Sequence, residues 1–394
     1  MHRSSPAHDP RVVLALMMWA QFVVPLMIFS VGALAPLLRD ALHISREQLG
    51  TLAALYHAGA ALAAMPVGWL ADRYGVRDVL IVVQAVNGLA LVAIPWLHTY
   101  ETILPTMFLG GVAFSASVVL TNKALYDWFP RKCRATAIGA KYFAMSVSGV
   151  VAGAAAPMLA LRVGWRQVFA LTGGLILASA LGDLLFYRDR PTEGPGAAPL
   201  WVPSGRRRLG GGRRFWRLVT AGFLFAGVQF TVTTYLALFL HETWGFSLPL
   251  AASLLALAQG AAAAGRVPAG WVSDRWLRGE RQRLLQGMGL LATGALVALL
   301  LMPPGTPSVV LAAVIALFGM SGMGWGGVYQ TLAVELAGQE SAGLGTGIAT
   351  TFIQVGSTVS PPLFGYCVDV TGTYTVSWGM LVLCLLLGIG LLGR

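Results

Sequence analysis

Charge is scarce in this chain. Asp, Glu, Lys and Arg make up 11% of its 394 residues, less than half of the roughly 25% usual for a soluble domain. A large water-facing domain is therefore excluded. Cysteine is scarcer still. Cys133, Cys367 and Cys384 lie far apart, with no CxxC and no paired histidine, so neither a disulfide framework nor a metal centre is expected. Signatures of catalysis are missing as well: there is no HExxH, no GxSxG, no catalytic carboxylate pair and no Walker loop. An enzyme, a bound cofactor and an ATP-driven engine within this chain all lose their basis.

What fills the chain instead is apolar. Hydrophobic residues reach 56% and the mean hydropathy is +0.71. A helix needs about 20 apolar residues to cross roughly 30 Å of hydrocarbon. Twelve such runs fall near 12–38, 49–71, 79–98, 102–126, 135–160, 167–187, 216–240, 249–272, 284–303, 308–332, 343–366 and 375–393. The first is too long for a signal-peptide core and lacks a cleavage site, so it reads as a span. Residues 188–215 are rich in Pro, Gly and Arg without an apolar period, as a flexible cytoplasmic linker is. They separate a six-helix half, 1–187, from a second, 216–394.

The formal net charge of +11 takes its meaning from position. Arg39, Arg46, Arg162 and Arg166 fall on one side of this layout, and 20 of the 27 Lys and Arg fall on the other. Basic excess marks the cytoplasmic face, so both termini are expected there. Membrane lipid is the expected surrounding, a bacterial inner membrane the expected location, and nucleic acid is not a partner.

One short stretch occurs twice. "PVGWLADRYG" (66–75) closes the second run, and "PAGWVSDRWL" (268–277) closes the eighth, the second run of the second half. Asp72 and Asp274 stand at the cytoplasmic ends of their spans, where a carboxylate can sit against the positive N-terminus of a helix. Arg73, Arg77 and Arg275 can pair across such an end, while Gly68 and Gly270 permit close helix approach. Plain membrane-edge charges are the alternative; recurrence at one spacing favours a gate.

"GWLADRYGVRDVL" resembles the loop signature of the major facilitator superfamily, G-x-L-a-D-r-x-G-r-k, with Gly75 at its second glycine and Val76 departing from its usual basic residue. The resemblance implies an all-α membrane protein, with twelve transmembrane helices in two pseudo-symmetric six-helix bundles. It also implies alternating access, with Asp72 latching the cytoplasmic gate shut against the other bundle. "NKALYDWFPRKCRATAIG" followed by "GWRQVF" resembles organic-anion branches of that superfamily. The fourth run, "PTMFLGGVAFSA", lacks the arginine of many proton-coupled members.

Ionisable groups deep in a span are costly and mark function by default. Three cations lie in the runs, Lys123, Lys141 and Arg266, and no acid lies near the middle of any run; Asp127, Asp183, Asp274 and Glu335 come near the ends. Such a basic excess calls for a bound anion. Arg266 precedes Asp274 by eight residues, about 12 Å of helix, and a guanidinium can hold a carboxylate bidentately. In "GRVPAGWVSDR" it resembles the substrate-contacting arginine of monocarboxylate and oxalate–formate type transporters. An arginine bonded to helix carbonyls is the alternative. Gln259 shares its face. Lys141, beside Tyr142, either adds a second charge to the cavity or snorkels to the surface. Lys123 fits a local pair with Asp127, and Asn122 beside it can reach the cavity. Tyr235, Tyr329 and Gln354 are further lining candidates. His57 is the one side chain at that depth that titrates near neutral pH, so it is the proton-coupling candidate, against ordinary packing. The expected function is secondary active transport of a small organic anion, a mono- or dicarboxylate, coupled to a proton or to anion exchange. Efflux of hydrophobic or drug-like compounds is the alternative.

Overall fold

Proline and glycine set where these helices break. The architecture comes from a computed structural model that describes residues 9–190, 212–275, 280–338 and 342–393; the side chains of 131, 132, 134, 135, 267–275, 342 and 343 fall outside the description. The expected single run 12–38 is three helices: α1 (Pro10–Val23), α2 (Leu26–Ala33) and α3 (Ala35–Leu42). Pro25 has no N–H to continue the ladder, and Leu34, at φ −100° and ψ 9°, leaves the helical region just ahead of Pro36. Five unbroken helices follow: α4 (Arg46–Tyr74), α5 (Val76–Val92), α6 (Tyr100–Trp128), α7 (Arg131–Val163) and α8 (Trp165–Phe186). Then come α9 (Gly212–Trp244), α10 (Leu248–Arg275), α11 (Arg281–Leu301), α12 (Ser308–Phe318), α13 (Gly326–Ala337), α14 (Ala342–Thr371) and α15 (Tyr374–Leu392). Gly319–Met323, between α12 and α13, winds as a π-helix.

Among the described residues, 11 helical stretches are long and apolar enough to cross a membrane. Helix α14 brings the layout to twelve. It has 30 residues, but Thr, Ser, Gly and Gln dilute its apolarity because it packs between α4 and α9. Within the first bundle α4 lies on α6, α5 on α8 and α1 on α7; within the second, α9 lies on α14 and α11 on α15. The bundles meet where α4 touches α14, α7 touches α10 and α2 touches α9. Of the expected linker 188–215, residues 191–211 lie outside the described residues, and 212–215 already belong to α9.

The two bundles are joined at one end and apart at the other. A methyl group on Gly50 of α4 would lie 2.5 Å from Pro361 O of α14, and one on Gly153 of α7 would lie 2.8 Å from Ala256 of α10. Toward the other end the clearance opens. A methyl on Gly139 of α7 would meet nothing within 4 Å, and one on Gly68 of α4 would meet only Val119 of its own bundle, at 4.0 Å. Among the described residues, the cleft between the bundles is thus open at the end that carries residues 68–75.

Charge closes the sealed end. Glu242, at the end of α9, accepts from Arg39 Nη1, from Arg46 Nη2 at 2.8 Å and from Tyr374 Oη at 2.6 Å. Arg46 Nη1 also donates to Asp369 Oδ1 at 3.2 Å, and Glu47 N donates to Asp369 Oδ2 at 2.9 Å. The capping box of Ser45 and Gln48 fixes the start of α4 and so places Arg46. These pairs are only partly buried: Glu242 keeps 17% of its side chain exposed and Arg46 keeps 22%. Charge-assisted bonds of this kind contribute roughly 1–2 kcal/mol after screening by solvent. Replacing Glu242 by Gln should loosen this end. Spin labels at His43 and Gly245 should then report a longer, broader distance distribution, the open population rising about five- to thirtyfold. An unchanged distribution would show that apolar packing alone holds the seal.

Candidate functional site

Side chains on a helix tilt toward its N-terminus. Helix α10 starts at the sealed end, so Arg266 reaches from the cleft back toward the seal. Its Nη1 donates to Ser146 Oγ of α7 at 2.5 Å, across the bundle interface. Lys141, five residues earlier on α7, is fully buried. Its Nζ donates to Asn122 Oδ1 of α6 at 2.6 Å and to Val118 O at 3.4 Å, and lies 4.5 Å from the centroid of the Tyr142 ring. The lysine does not snorkel; its charge stays inside, on neutral acceptors. Tyr142 is partly exposed, lies beside Asn122 and is within electrostatic reach of Arg266. Gln259 packs on α7 where Gly149 leaves space, a methyl there lying 3.1 Å from its Cδ.

Arg266, Lys141, Tyr142, Asn122 and Gln259 are thus brought together around the α7–α10 contact. Ser146 joins them and was not anticipated. It follows Tyr142 by four residues and precedes Gly149 by three, so the stripe was visible as helix spacing, but a lone serine carries no signal. The two cations of this group bond to a hydroxyl, an amide oxygen and a backbone carbonyl. Among the described residues no carboxylate is recorded against either.

Other expected lining residues sit elsewhere. Tyr235 is buried in the seal, its hydroxyl within 2.5 Å of Arg46 O and 3.1 Å of Pro361 O. Glycines at 50 and 365 leave room for it. Tyr329 is internal to the second bundle: its ring fills the space at Gly222, lies 5.1 Å from the Trp325 ring, and its hydroxyl reaches Ala349 O at 3.5 Å. Tyrosine buried this way packs and ties helices, so neither faces the cleft. His57 and Gln354 are neighbours across the bundle interface. The His57 ring lies 4.2 Å from Phe230 and 5.5 Å from Tyr56, and neither of its nitrogens has a partner in hydrogen-bond geometry.

The repeated hinge is arranged differently from the expected latch. Asp72 forms an ion pair with Lys123 of its own bundle. Lys123 therefore reaches α4 as well as any partner on its own helix. The carboxylate that meets a helix N-terminus is Asp189: both its oxygens accept from Arg77 N, at 3.2 Å each, at the start of α5. Gly75 makes this possible with φ +88°, in the left-handed region, and a side chain there would strike Asp189. Arg77 Nε donates to Tyr187 O at 2.9 Å and its Nη2 to Leu184 O at 2.6 Å. Arg73 lies over the rings of Trp69 and Tyr74, at 5.7 and 5.5 Å. Gly68 has open space, so the close approach expected of it is absent with the cleft open at this end. Gly270, Asp274 and Arg275 fall in α10, but their side chains lie outside the described residues. The sealing network of Arg39, Arg46, Glu242 and Asp369 was overlooked in the sequence, where Arg39 and Arg46 count only toward orientation and the two acids carry no signal.

With this geometry in place, the comparisons with known proteins are direct. The description "Major Facilitator Superfamily" matches residues 17–361. The chain is 25% identical to the probable sulfoacetate transporter SauU of Cupriavidus necator, covering 97% of this chain and 92% of that protein. It is 26% identical to a galacturonate transporter of Dickeya chrysanthemi over 70% of this chain and 84% of that one. It is 23% identical to the hexuronate transporter of Escherichia coli K12, over 87% and 84%. Among solved structures, a bacterial homologue of the human lysosomal transporter Spinster, inward-facing and unoccupied, superposes with a TM-score of 0.82 at 18% identity, covering 99% of this chain and 97% of that one. The nucleoside transporter NupG also gives 0.82, at 12% identity, over 98% and 100%. A chain of membrane-crossing helices in two bundles, with a cleft between them and a family match over most of its length, belongs to the major facilitator superfamily, as a secondary transporter and not an enzyme.

Proposed function

We propose that this protein moves a small organic anion bearing a carboxylate or sulfonate group across a bacterial inner membrane by alternating access. One observation carries the reading: Arg266 crosses the bundle interface at depth and is bonded there to a neutral hydroxyl, with the buried Lys141 five residues before that serine on α7. An ion in such a place needs a counter-charge. A substrate anion entering the open cleft supplies it, displacing Ser146 Oγ from the guanidinium and taking two N–H groups in parallel. Relatives named for sulfoacetate, galacturonate and hexuronate transport support this class of cargo.

The cycle follows from the two ends. With both termini in the cytoplasm, as the basic bias indicates, the open cleft faces inward and the Glu242 network seals the outer side. An anion bridging α7 and α10 draws the bundles together around Arg266. The inner ends then close, with Asp72 exchanging Lys123 for a contact on the opposite bundle, and the Glu242 network parts. A proton or an exchanged anion supplies the driving force.

Proteoliposome uptake of sulfoacetate and of galacturonate tests the site. Arg266→Ala should raise the KM about ten- to hundredfold, the worth of charge-assisted bonds of roughly 1.5–3 kcal/mol. Arg266→Lys should recover only part of that, because it keeps the charge and loses the planar fork. Uptake by Arg266→Ala at the normal KM would remove the site from the account. Lys141→Gln should leave the protein folded, since the amide can still bond Asn122, but should weaken doubly charged sulfoacetate more than singly charged galacturonate. Equal effects on both would assign Lys141 a packing role.

A further inference from the structure

The first bundle contains a second polar centre, away from the cleft, along the contact of α5 with α8. The helices run antiparallel and close: a methyl on Gly173 of α8 would lie 2.6 Å from Gly88 O of α5. Four polar side chains line this seam. Gln84 and Asn87 come from α5, Ser179 and Asp183 from α8, and all are at least 98% buried. None of their side-chain amide, carboxylate or hydroxyl atoms has a hydrogen-bond partner. Buried polar groups are almost always bonded, so a group of them left open together points to something that binds there.

The chemistry of the seam narrows what that is. Asp183 is the one acid in it, and Gln84 is the neighbour beside its carboxyl. An ionised carboxylate here would have only the neighbouring Gln84 amide to offset its desolvation, and among the described residues no cation is paired with it. Arg77, at the start of α5, gives Nε and Nη2 to Tyr187 O and Leu184 O, and its Nη1 lies 3.5 Å from Asp78. Of the other helices packed on α8, α2 carries no charged residue, and α1 has only the exposed Arg11. Of the α7 cations, Lys141 is turned to Asn122 and Arg162 lies at the opposite end of that helix; the side chains of Arg131, Lys132 and Arg134 lie outside the described residues. Beyond α8, Arg188 donates to Leu184 O at 3.4 Å and Arg190 to Asp127 O at 3.0 Å, while Tyr187 and Asp189 add no positive charge.

We propose that Asp183 is a proton-binding site, coupled through Arg77 to the hinge at the open end of the cleft. The carboxylate takes up one proton to become the neutral acid, and Gln84, Asn87 and Ser179 orient it as donors and acceptors. Loading changes the fit of α8 on α5. The last carbonyls of α8, at Leu184 and Tyr187, are held by Arg77, whose own backbone is fixed by Asp189 beside Gly75. A shift of α8 at Asp183 is thus passed within one turn to the hinge that must move when the cleft closes.

The proton-binding step is testable without substrate; its coupling to transport rests on the reading of the cargo as an organic anion. Infrared spectra of the purified protein should contain the carbonyl band of a protonated carboxyl, absent in Asp183→Asn and regained in Asp183→Glu. A spectrum identical in Asp183→Asn would overturn the proposal even if the cargo were something else. In proteoliposomes with sulfoacetate, Asp183→Asn should retain counterflow within about twofold of the wild type. It should lose the accumulation of about tenfold per proton that a pH difference of one unit drives. Accumulation unchanged in Asp183→Asn, or driven by a sodium gradient and lost with this substitution, would also overturn it. Asp183→Glu guards against a folding defect, since it should restore both readouts together.

Discussion

A guanidinium held inside a membrane protein by a neutral hydroxyl is the constraint around which the remaining structure is arranged. Arg266 is far too costly to place between helices for packing alone, and its bond to Ser146 spans the two bundles. In the proposed cycle an anion that takes the place of Ser146 Oγ on Arg266 lies between α7 and α10, so that binding and closure become one event.

The rest of the charge in this sparsely charged chain is spent on the two ends. At the sealed end Glu242 gathers two arginines and a tyrosine from both bundles. At the open end Asp72 stays with Lys123 inside one bundle, and Asp189 caps α5 through Arg77. Bonds across bundles at one end, and within a bundle at the other, are what an alternating gate requires.

Much of this was legible in the sequence. Run lengths gave the spans, since about 20 apolar residues per crossing leaves little freedom. The repeated hinge marked two related halves, and depth along α10 is the ground on which Arg266 is proposed. The misses have physical causes. Pro25 and the π-turn at Gly319–Met323 break spans that hydropathy draws as continuous, because apolarity does not report backbone hydrogen bonds. Tyr235 and Tyr329 look like cleft residues from composition, yet each fills a space opened by glycines on another helix, a pairing only the fold creates. Asp183 stands three residues before the end of α8 and reads as a surface charge; the close α5–α8 contact buries it entirely. The pairs of the sealing network that cross between bundles join residues about two hundred or more positions apart, so no local pattern could show it.

The central claim is that negative charge on the cargo, not its bulk or polarity, is what Arg266 recognises. Calorimetric titration of the purified protein with galacturonate and with uncharged galactose, two ligands alike in size and hydroxyl content, tests it most directly. The account predicts binding of galacturonate, weakened by salt, and no measurable binding of galactose. Equal affinity for the two sugars would contradict it.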